Sequence, residues 1–487
     1  MNAFLIIAFG ILVSGCQKKE NDTASSPMQW EYSVVEGTAI LTRYLGHESE
    51  VKVPRFINGY PVVALSGKVS SGSVFSGQRL IEVTIPKGVL RIDNYAFSVQ
   101  TNLKSVNLPN SLTHIGRCAF QLCSALTQIK IPEGVTNIGM YAFSCCFSLR
   151  EISLPSSLSQ IESKAFGVCS NLETILIPRG VTNIGASAFG SCARLIEIRV
   201  APDNAYYASK EGVLYNKDLT LLVHYPGGKA GECIIPSSLQ KIDYGSIGKC
   251  PKLNGFRVEG GNTNFTSDGG VLYNKDQSSL ILFPRNNTGQ AVLRPGITNI
   301  APYAFAFSTN LIEVKLPDGL NHIGHDAFQD CKELSKINIP LGVTRIGTEA
   351  FGRCRNLVSL SLPEGISAIE EGTFIYCDKL ADINIPSSVT RIGNVAFQQC
   401  TSLTNIIIPN GVTNIGYRAF GGCTSLTSVE IPISVKSIEK DAFRGCINLT
   451  NVSIPASLQE IGNGAFDQCP KLSSRVKKQI NDQRKKD

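Results

Sequence analysis

Cysteine is the residue type with the most potential for chemistry in this sequence, because thiolates bind zinc, form disulfides and act as nucleophiles. The 487 residues include 16 cysteines, and twelve of them follow a regular spacing. Each of the twelve comes three residues after a recurring phenylalanine or, once, after Ile247. They are Cys123, Cys146, Cys169, Cys192, Cys250, Cys331, Cys354, Cys377, Cys400, Cys423, Cys446 and Cys469.

This spacing does not favour a metal site. Zinc sites need ligands in close pairs such as Cys-x-x-Cys, whereas each repeat here contributes one thiol. Neighbouring repeats would hold their thiols with parallel Cβ directions, which is poor disulfide geometry, although export from the cell would favour disulfides. We therefore predict no metal, and interpret the twelve residues as a structural ladder of buried, reduced thiols that pack as small apolar side chains.

Other residues with catalytic potential form no recognisable site. The sequence has no Gly-x-Ser-x-Gly, no phosphate-binding Gly-x-x-x-x-Gly-Lys-Ser/Thr and no His-Glu-x-x-His motif. His322 and His325 lie three residues apart, but His322 shares its repeat position with His114, which favours a role in turns. Acidic residues are spread singly among the repeats. We predict no catalytic residues, no cofactor and no enzymatic activity.

A period of 23 residues positions the thiols. Proline recurs at this interval in two series, and a phenylalanine follows eleven residues after each proline. The prolines are Pro86, Pro109, Pro132, Pro155 and Pro178, then Pro317, Pro340, Pro363, Pro386, Pro409, Pro432 and Pro455. So regular a period over most of a chain indicates a solenoid, in which each turn packs against its neighbours.

One repeat, Leu403 to Ser425, shows how the parts of a turn are assigned. Ile406 and Ile408 alternate with polar residues, which predicts a short strand that ends at Pro409, a residue without an N–H group. Apolar residues beyond the proline predict a second short strand or an extended turn. Phe420 and Cys423 have helical spacing, which predicts one helical turn. The expected fold class is an α/β-type repeat solenoid with a parallel β-sheet on one face and short second strands or helical turns behind.

The repeat pattern L-x-x-I-x-I-P-x-x-V-x-x-I-G-x-x-A-F-x-x-C resembles the BspA-type leucine-rich repeat of bacterial surface proteins over about residues 54–472. The resemblance implies an arc-shaped or superhelical solenoid that is secreted or attached to the cell surface. Several family members are adhesins, so it also implies a protein partner on a host or neighbouring-cell surface.

Two insertions and two caps interrupt the repeats. The motif GVLYNKD occurs at 212–218 and again at 270–276, and in both places it reads as a β-hairpin. The predicted segments are a signal peptide (1–15), a flexible tether (16–29), an N-terminal β cap (30–53), leucine-rich repeats (54–198), two hairpin-bearing repeats (199–294), leucine-rich repeats (295–472) and a basic C-terminal cap or tail (473–487).

Aromatic residues concentrate in the insertions. The outward positions of the twelve predicted strands before the prolines carry neither aromatic residues nor arginine, although binding hot spots are enriched in both. The candidate partner contacts are therefore Tyr206, Tyr207, Tyr215, Tyr225, Phe265, Tyr273 and Phe283. Two interpretations stay open: the hairpins form a ligand-contact platform, or they pack on the solenoid and cover its interrupted edge.

The N-terminus predicts export and lipid attachment. A 12-residue apolar stretch, residues 3–14, precedes Gly15-Cys16, which resembles the lipoprotein signal in which the cysteine is cleaved and lipidated. No lysine or arginine precedes the stretch, unlike the usual signal. We predict lipidation of Cys16 and a bacterial membrane-anchored lipoprotein in the outer membrane or at the cell surface. The net charge of +7 lies largely in residues 475–487, so we predict no nucleic-acid partner.

These observations leave three hypotheses for function. The first is a surface-anchored, non-enzymatic leucine-rich repeat protein for protein binding or adhesion. The second is a structural envelope lipoprotein that acts as a spacer or assembly scaffold. The third is a cryptic hydrolase or inhibitor module in the insertions. A catalytic activity that one point substitution destroys would favour it.

Overall fold

The computed structural model describes residues 27–68 and 72–484, which divide into two compact units. Unit 1 extends to Lys229 and includes Lys241–Cys250, and unit 2 comprises Ala230–Gln240 and the residues from Pro251 onward. In each unit the chain winds as a parallel β-solenoid, and the two together contain about 18 turns of about 23 residues. Parallel pairs 23 residues apart, such as Gln128 with Glu151, confirm the predicted solenoid.

The first row of strands lies directly before the repeat prolines. In a strand such as Gln128–Lys130 the central isoleucine is buried and both neighbours are exposed, because successive side chains point to opposite faces. In unit 1 the row contains Glu50–Lys52, Glu82–Thr84, Ser105–Asn107, Gln128–Lys130, Glu151–Ser153, Thr174–Ile177 and Glu197–Val200. In unit 2 it contains Gly231–Ile235, Leu253–Val258, Gly289–Val292, Leu311–Lys315, Lys336–Asn338, Ser359–Ser361, Asp382–Asn384, Asn405–Ile407, Ser428–Glu430 and Asn451–Ser453. We call the exposed side of this row the strand face.

The second row consists of two-residue strands, each of which ends in an isoleucine that is buried in all but one case. In unit 1 they are Arg91–Ile92, His114–Ile115, Asn137–Ile138, Gln160–Ile161, Asn183–Ile184 and Lys241–Ile242. In unit 2 they are Asn299–Ile300, His322–Ile323, Arg345–Ile346, Ala368–Ile369, Arg391–Ile392, Asn414–Ile415, Ser437–Ile438 and Glu460–Ile461.

The segment around each repeat phenylalanine is a series of tight turns, so the predicted helical turn is wrong. The residues two before and two after the phenylalanine have positive φ, as Arg418 (48°) and Gly422 (72°) do around Phe420. Left-handed residues at both places interrupt the right-handed helix that the spacing suggested. The described residues contain one α-helix, Ser474–Arg484, and two 3-10 helices, Pro27–Gln29 and Tyr244–Ser246.

Stacked phenylalanine rings run through the interior of each unit. In unit 1 the rings from Phe75 to Phe189 follow one another with centroids 5.0–5.8 Å apart. In unit 2 the rings from Phe305 to Phe466 are 4.8–5.7 Å apart. Such pairs add to the stabilisation from area burial. Backbone hydrogen bonds also join neighbouring turns at these positions. The N–H of Phe420, for example, donates to the carbonyl of Ala442 in the next turn at 2.8 Å.

Both ends of the fold are covered. At the N-terminal end, Trp30–Val35 and Thr38–Tyr44 pair antiparallel, followed by Phe56–Ile57 and Tyr60–Leu65. The rings of Trp30 and Tyr44 pack on Phe75 with centroids 5.7 Å away, so they end the phenylalanine stack of unit 1. At the C-terminal end, the helix Ser474–Arg484 buries Val476 and Ile480. Capping of this kind removes the exposed apolar ends that a solenoid otherwise has.

The insertions form antiparallel strands that join the second row. In unit 1, Tyr207–Lys210, Val213–Asn216 and Leu221–His224 pair antiparallel in order, and the last pairs parallel with Lys241–Ile242. In unit 2, Phe265–Asp268, Val271–Asn274 and Ser279–Leu282 repeat the arrangement, and the last pairs with Asn299–Ile300.

The stack predicts a position-dependent effect of ring removal. Phe397→Ala should lower the free energy of unfolding by about 3–5 kcal/mol, because it leaves a cavity between two fully buried rings. Phe466→Ala should cost less, because that ring lies at the end of the stack, packs against one neighbouring phenylalanine and is 7% exposed. Urea unfolding followed by circular dichroism measures both, with Gln398→Ala as the control. Equal losses at the two phenylalanines would contradict this account.

Candidate functional site

An open groove of about 460 Å³ lies on the strand face of unit 2. The apolar residues Val314, Leu316 and Ile337 also line it, but the side chains of Val314 and Ile337 point inward and are buried. Its polar lining comes from the exposed strand positions and the residues beside them. These residues are Glu313, Lys315, Ser335, Lys336, Asn338 and Ser359. The parallel register places Glu313 beside Lys336 and Lys315 beside Asn338.

The charges in the groove are available to a partner. Within the described residues, no opposite charge lies within ion-pair distance of Glu313, Lys315 or Lys336. Two ammonium groups, one carboxylate and neighbouring amide and hydroxyl groups can hydrogen-bond the polar side chains and backbone of another protein.

The insertion aromatics are mostly inside the protein, which corrects the expectation that all seven contact a partner. Tyr215 and Tyr225 are each 1% exposed, and the rings of Phe265, Tyr273 and Phe283 are also buried. Tyr207 is half-buried, and its hydroxyl accepts the N–H of Ile184 at 2.9 Å. Tyr206, at 53% exposure, is the one ring of the seven that presents most of its surface to solvent.

A pair of asparagines that the sequence analysis missed explains why the hairpins pack so closely. Asn262 is 2% exposed, and its side-chain amide donates to the carbonyls of Pro236 and Leu239 at 2.8 and 3.0 Å. Its Oδ1 accepts the N–H groups of two following residues, and Lys275 donates to its backbone carbonyl. Asn204 makes the equivalent bonds in unit 1. Both asparagines precede GVLYNKD by eight residues, and that duplication was the available signal.

The same motif closes the hairpin itself. The Oδ1 of Asn216 accepts the N–H of Leu221 at 2.8 Å, and its amide donates to Thr220. Asn274 makes the matching bond to the N–H of Ser279 at 2.8 Å. The repeated residues of the insertions therefore hold backbone in place, which favours the interpretation that the hairpins pack on the solenoid.

All twelve ladder cysteines are buried, and none of them forms a disulfide within the described residues. In eleven of them the thiol points at the carbonyl oxygen of the phenylalanine one turn earlier, with Sγ···O distances of 3.1–3.2 Å. In the twelfth, Cys250, the distance to the carbonyl of Tyr225 is 3.9 Å. Burial raises the pKa of the Cys423 thiol to about 12 and that of the Cys400 thiol well above its usual value. The thiols thus act as weak hydrogen-bond donors inside the core.

Two turns show how other residues serve in the cysteine position. Gln100 occupies it in one turn and donates its Nε2 to the carbonyl of Phe75 at 3.0 Å. Ser308 occupies it in another, where its buried hydroxyl has no hydrogen-bond partner among the described residues. The carbonyl of Phe283 receives the buried guanidinium of Arg285 instead, at 3.4 Å. A hydroxyl on the same backbone position is therefore a poor substitute for the longer thiol.

The histidines and acidic residues of the described chain form no group that could hold a metal ion. No group of three or more His, Cys, Asp or Glu side chains in residues 27–68 and 72–484 is placed to hold a metal ion. His325 lies 3.0 Å from the carboxylate of Asp326 and packs its ring edgewise on Tyr303. Burial lowers the pKa of His322, with Arg345 contributing. None of the helices in this range is long and apolar enough to cross a bilayer.

The repeats decide the family. A family model for the BspA type leucine-rich repeat region matches residues 69–205, 281–404 and 391–482, in six copies. The chain belongs to the BspA-type leucine-rich repeat family. The groove therefore lies on the strand face of a BspA-type repeat array.

Several solved structures of leucine-rich repeat proteins resemble this BspA-type chain. A leucine-rich cell surface protein from Faecalibacterium prausnitzii is 26% identical, with a TM-score of 0.36, over 89% of this chain and 95% of its own. The pneumococcal vaccine antigen PcpA is 21% identical, with a TM-score of 0.46, over 79% of this chain and 90% of its own. A leucine-rich repeat protein from T. pallidum is 27% identical, with a TM-score of 0.34, over 43% of this chain and 91% of its own. The comparison with curated proteins found no significant match.

The thiol contacts predict that serine is no better than alanine in the ladder. Cys400→Ala should lower the free energy of unfolding by about 1–2 kcal/mol through a small cavity. Cys400→Ser should lower it by at least as much, because the buried hydroxyl would lack a good acceptor. Leaving such a polar group unsatisfied costs about 1–3 kcal/mol. Urea unfolding measures both, with the half-buried, off-ladder Cys145→Ser as the control. A Cys400→Ser protein as stable as wild type would refute the role assigned to the thiol.

The buried ring of His224 should make the stability of unit 1 depend on pH. Its ring is buried edgewise on Phe189, and burial lowers its pKa to about 4. Between pH 6.5 and 4 the unfolded chain binds the proton and the folded chain does not, so stability falls as pH falls. The loss at pH 5 should be about 2 kcal/mol, and His224→Phe should remove this part of the pH dependence. Unfolding at pH 5 and 7 tests it; an unchanged pH profile in the variant would contradict the assignment.

Proposed function

We propose that this chain is a surface-anchored, non-enzymatic binding protein whose strand face in unit 2 contacts a protein partner. The observation that carries the proposal is the groove with the unpaired charges of Glu313, Lys315 and Lys336. Charged groups of this kind set the register and specificity of an interface through complementarity with the partner. Membership of a family of bacterial surface proteins supports the class of function.

Attachment through Cys16 is the second part of the proposal. Cys16 lies outside the described residues, so its support comes from the sequence motif. Lipidation there would hold the protein on the bacterial surface, with residues 16–29 as a tether and the strand face free to meet a host or neighbouring-cell protein. The exposed ring of Tyr206 is the one insertion aromatic that we retain as a partner contact.

Site-specific crosslinking tests where a partner binds. A photoreactive amino acid at Ser361, exposed on the strand face beside the groove, should give a discrete protein adduct on the bacterial surface. The same group at Thr413, exposed beside the second row of strands, should not. Changing Lys315→Glu and Lys336→Glu together should lower the affinity for that adducted partner at least tenfold, about 1.4 kcal/mol.

The outcomes separate the hypotheses. Adducts that form equally at Ser361 and Thr413, or that survive both charge reversals, would reject the groove as the binding site. No adduct at either position, with the protein still on the surface, would favour the spacer or scaffold alternative. A further variant, Tyr206→Ala, reports whether the insertion of unit 1 contributes to affinity.

A further inference from the structure

We infer that the turns of unit 1 carry a second contact surface, one that lies against an anionic lipid bilayer. We define the turn face as the exposed side chains among the nine residues from three before to five after each stacked phenylalanine from Phe97 onward. In unit 1 these segments are 94–102, 117–125, 140–148, 163–171 and 186–194. The surface is distinct from the strand face, because it lies on the tight turns behind the two rows of strands.

The turn face of unit 1 carries more positive than negative charge. None of its five segments contains Asp or Glu, although Asp93 and Glu162 directly precede two of them, and the segments contain Arg117, Lys164 and Arg194, all exposed. Within the described residues no carboxylate lies within ion-pair distance of these three cations. The face therefore presents a net positive charge whose three cations form no ion pair, and it complements an anionic surface.

Unit 2 shows that the repeat does not require this composition. Its eight corresponding segments contain eight carboxylates and eight Lys or Arg residues. Several of these charged residues form ion pairs with one another. Asp441 pairs with Arg418 at 3.3 Å and with Arg444 at 3.4 Å, and Arg355 pairs with Asp378. Because both units share the same backbone turns, the difference is a property of the side chains that unit 1 exposes.

The turn face of unit 1 is also apolar along one line. The residue two after the phenylalanine is Val99, Leu122, Cys145 and Val168 in successive turns, and the two valines are 58% and 38% exposed. The N–H of Leu122 donates to the carbonyl of Ser144, the residue before Cys145, so these positions lie side by side in neighbouring turns. Phe147 adds a ring that is 39% exposed. The boundary between lipid headgroups and acyl chains would bury these side chains.

The cations lie close to aromatic rings. The ammonium group of Lys164 is 5.6 Å from the ring centroid of Tyr141, and Arg117, one turn to the other side, accepts the N–H of Tyr95 at its carbonyl oxygen at 3.0 Å. Tyrosines beside lysine or arginine are suited to a membrane interface, because the rings stay among the headgroups while the cations meet lipid phosphates. Positive charge, exposed valines and half-buried tyrosines on one face thus fit a phospholipid surface better than a polar macromolecule.

Hydrogen exchange on the full chain with vesicles tests the inference. The probes are vesicles of phosphatidylcholine alone and of phosphatidylcholine with phosphatidylglycerol. We expect amide exchange in residues 94–194 to slow at least threefold with the anionic vesicles only, with no change in 325–471. Arg117→Glu with Lys164→Glu should abolish the protection, since each cation contributes about fivefold to attraction. The matched control is Lys332→Glu with Lys440→Glu on the turn face of unit 2, which should leave the protection intact.

Each other outcome overturns the inference. Vesicle-bound protein without protection in 94–194 would show that the lipid anchor acts alone, and absence from both kinds of vesicle would show that the face does not attract lipid. Equal protection in unit 2, or equal protection by soluble polyphosphate without vesicles, would show that lipid is not the ligand. The binding proposed for the strand face is unaffected by any of these results, because its test uses Ser361 in unit 2.

Discussion

Contact between identical positions of neighbouring turns is the interaction on which this fold depends. Phenylalanine stacks on phenylalanine, the Phe N–H donates to the next turn, and eleven of the twelve ladder thiols donate to the Phe carbonyl of the preceding turn. A single turn buries too little to offset the entropy of ordering its own residues, so each turn is stable only between two others. This constraint fixes the interior residue types and requires Trp30 at one end of the array and Val476 at the other to cover the last turns.

The interior could be predicted from sequence because its residues repeat by type. Prolines and isoleucines 23 apart gave the strand rows, and the lone thiols per repeat indicated packing rather than metal ligation. The left-handed turns could not be read in this way, because the positions around the phenylalanine carry Tyr, Val, Arg, Asp and Gly without a common type. Cysteine three residues after phenylalanine mimics helical spacing, and only the backbone dihedrals distinguish the two structures.

The insertions show the limit of composition as a guide to binding. Their aromatics suggested a contact platform, but aromatic residues are equally suited to filling the space between a hairpin and the solenoid. Which of these occurs depends on hydrogen bonds over long sequence distances, such as those of Asn262 to Pro236 and Leu239. Because the interior groups mostly contact one another, we expect binding to depend on the outward positions, whose residue types the repeat does not fix. The two units differ at these positions: unit 2 has the charged groove, and the turn-face segments of unit 1 contain no Asp or Glu.

Native-state hydrogen exchange of the full chain, resolved to single turns, tests most directly whether contacts between turns hold the fold together. The account predicts that the amides of the stacked phenylalanines are the slowest to exchange and that protection is highest in the central turns of each unit, with a decline toward Trp30 and toward the C-terminal helix. Uniform protection along each unit, or faster exchange at the phenylalanine amides than in the exposed strand positions, would contradict it.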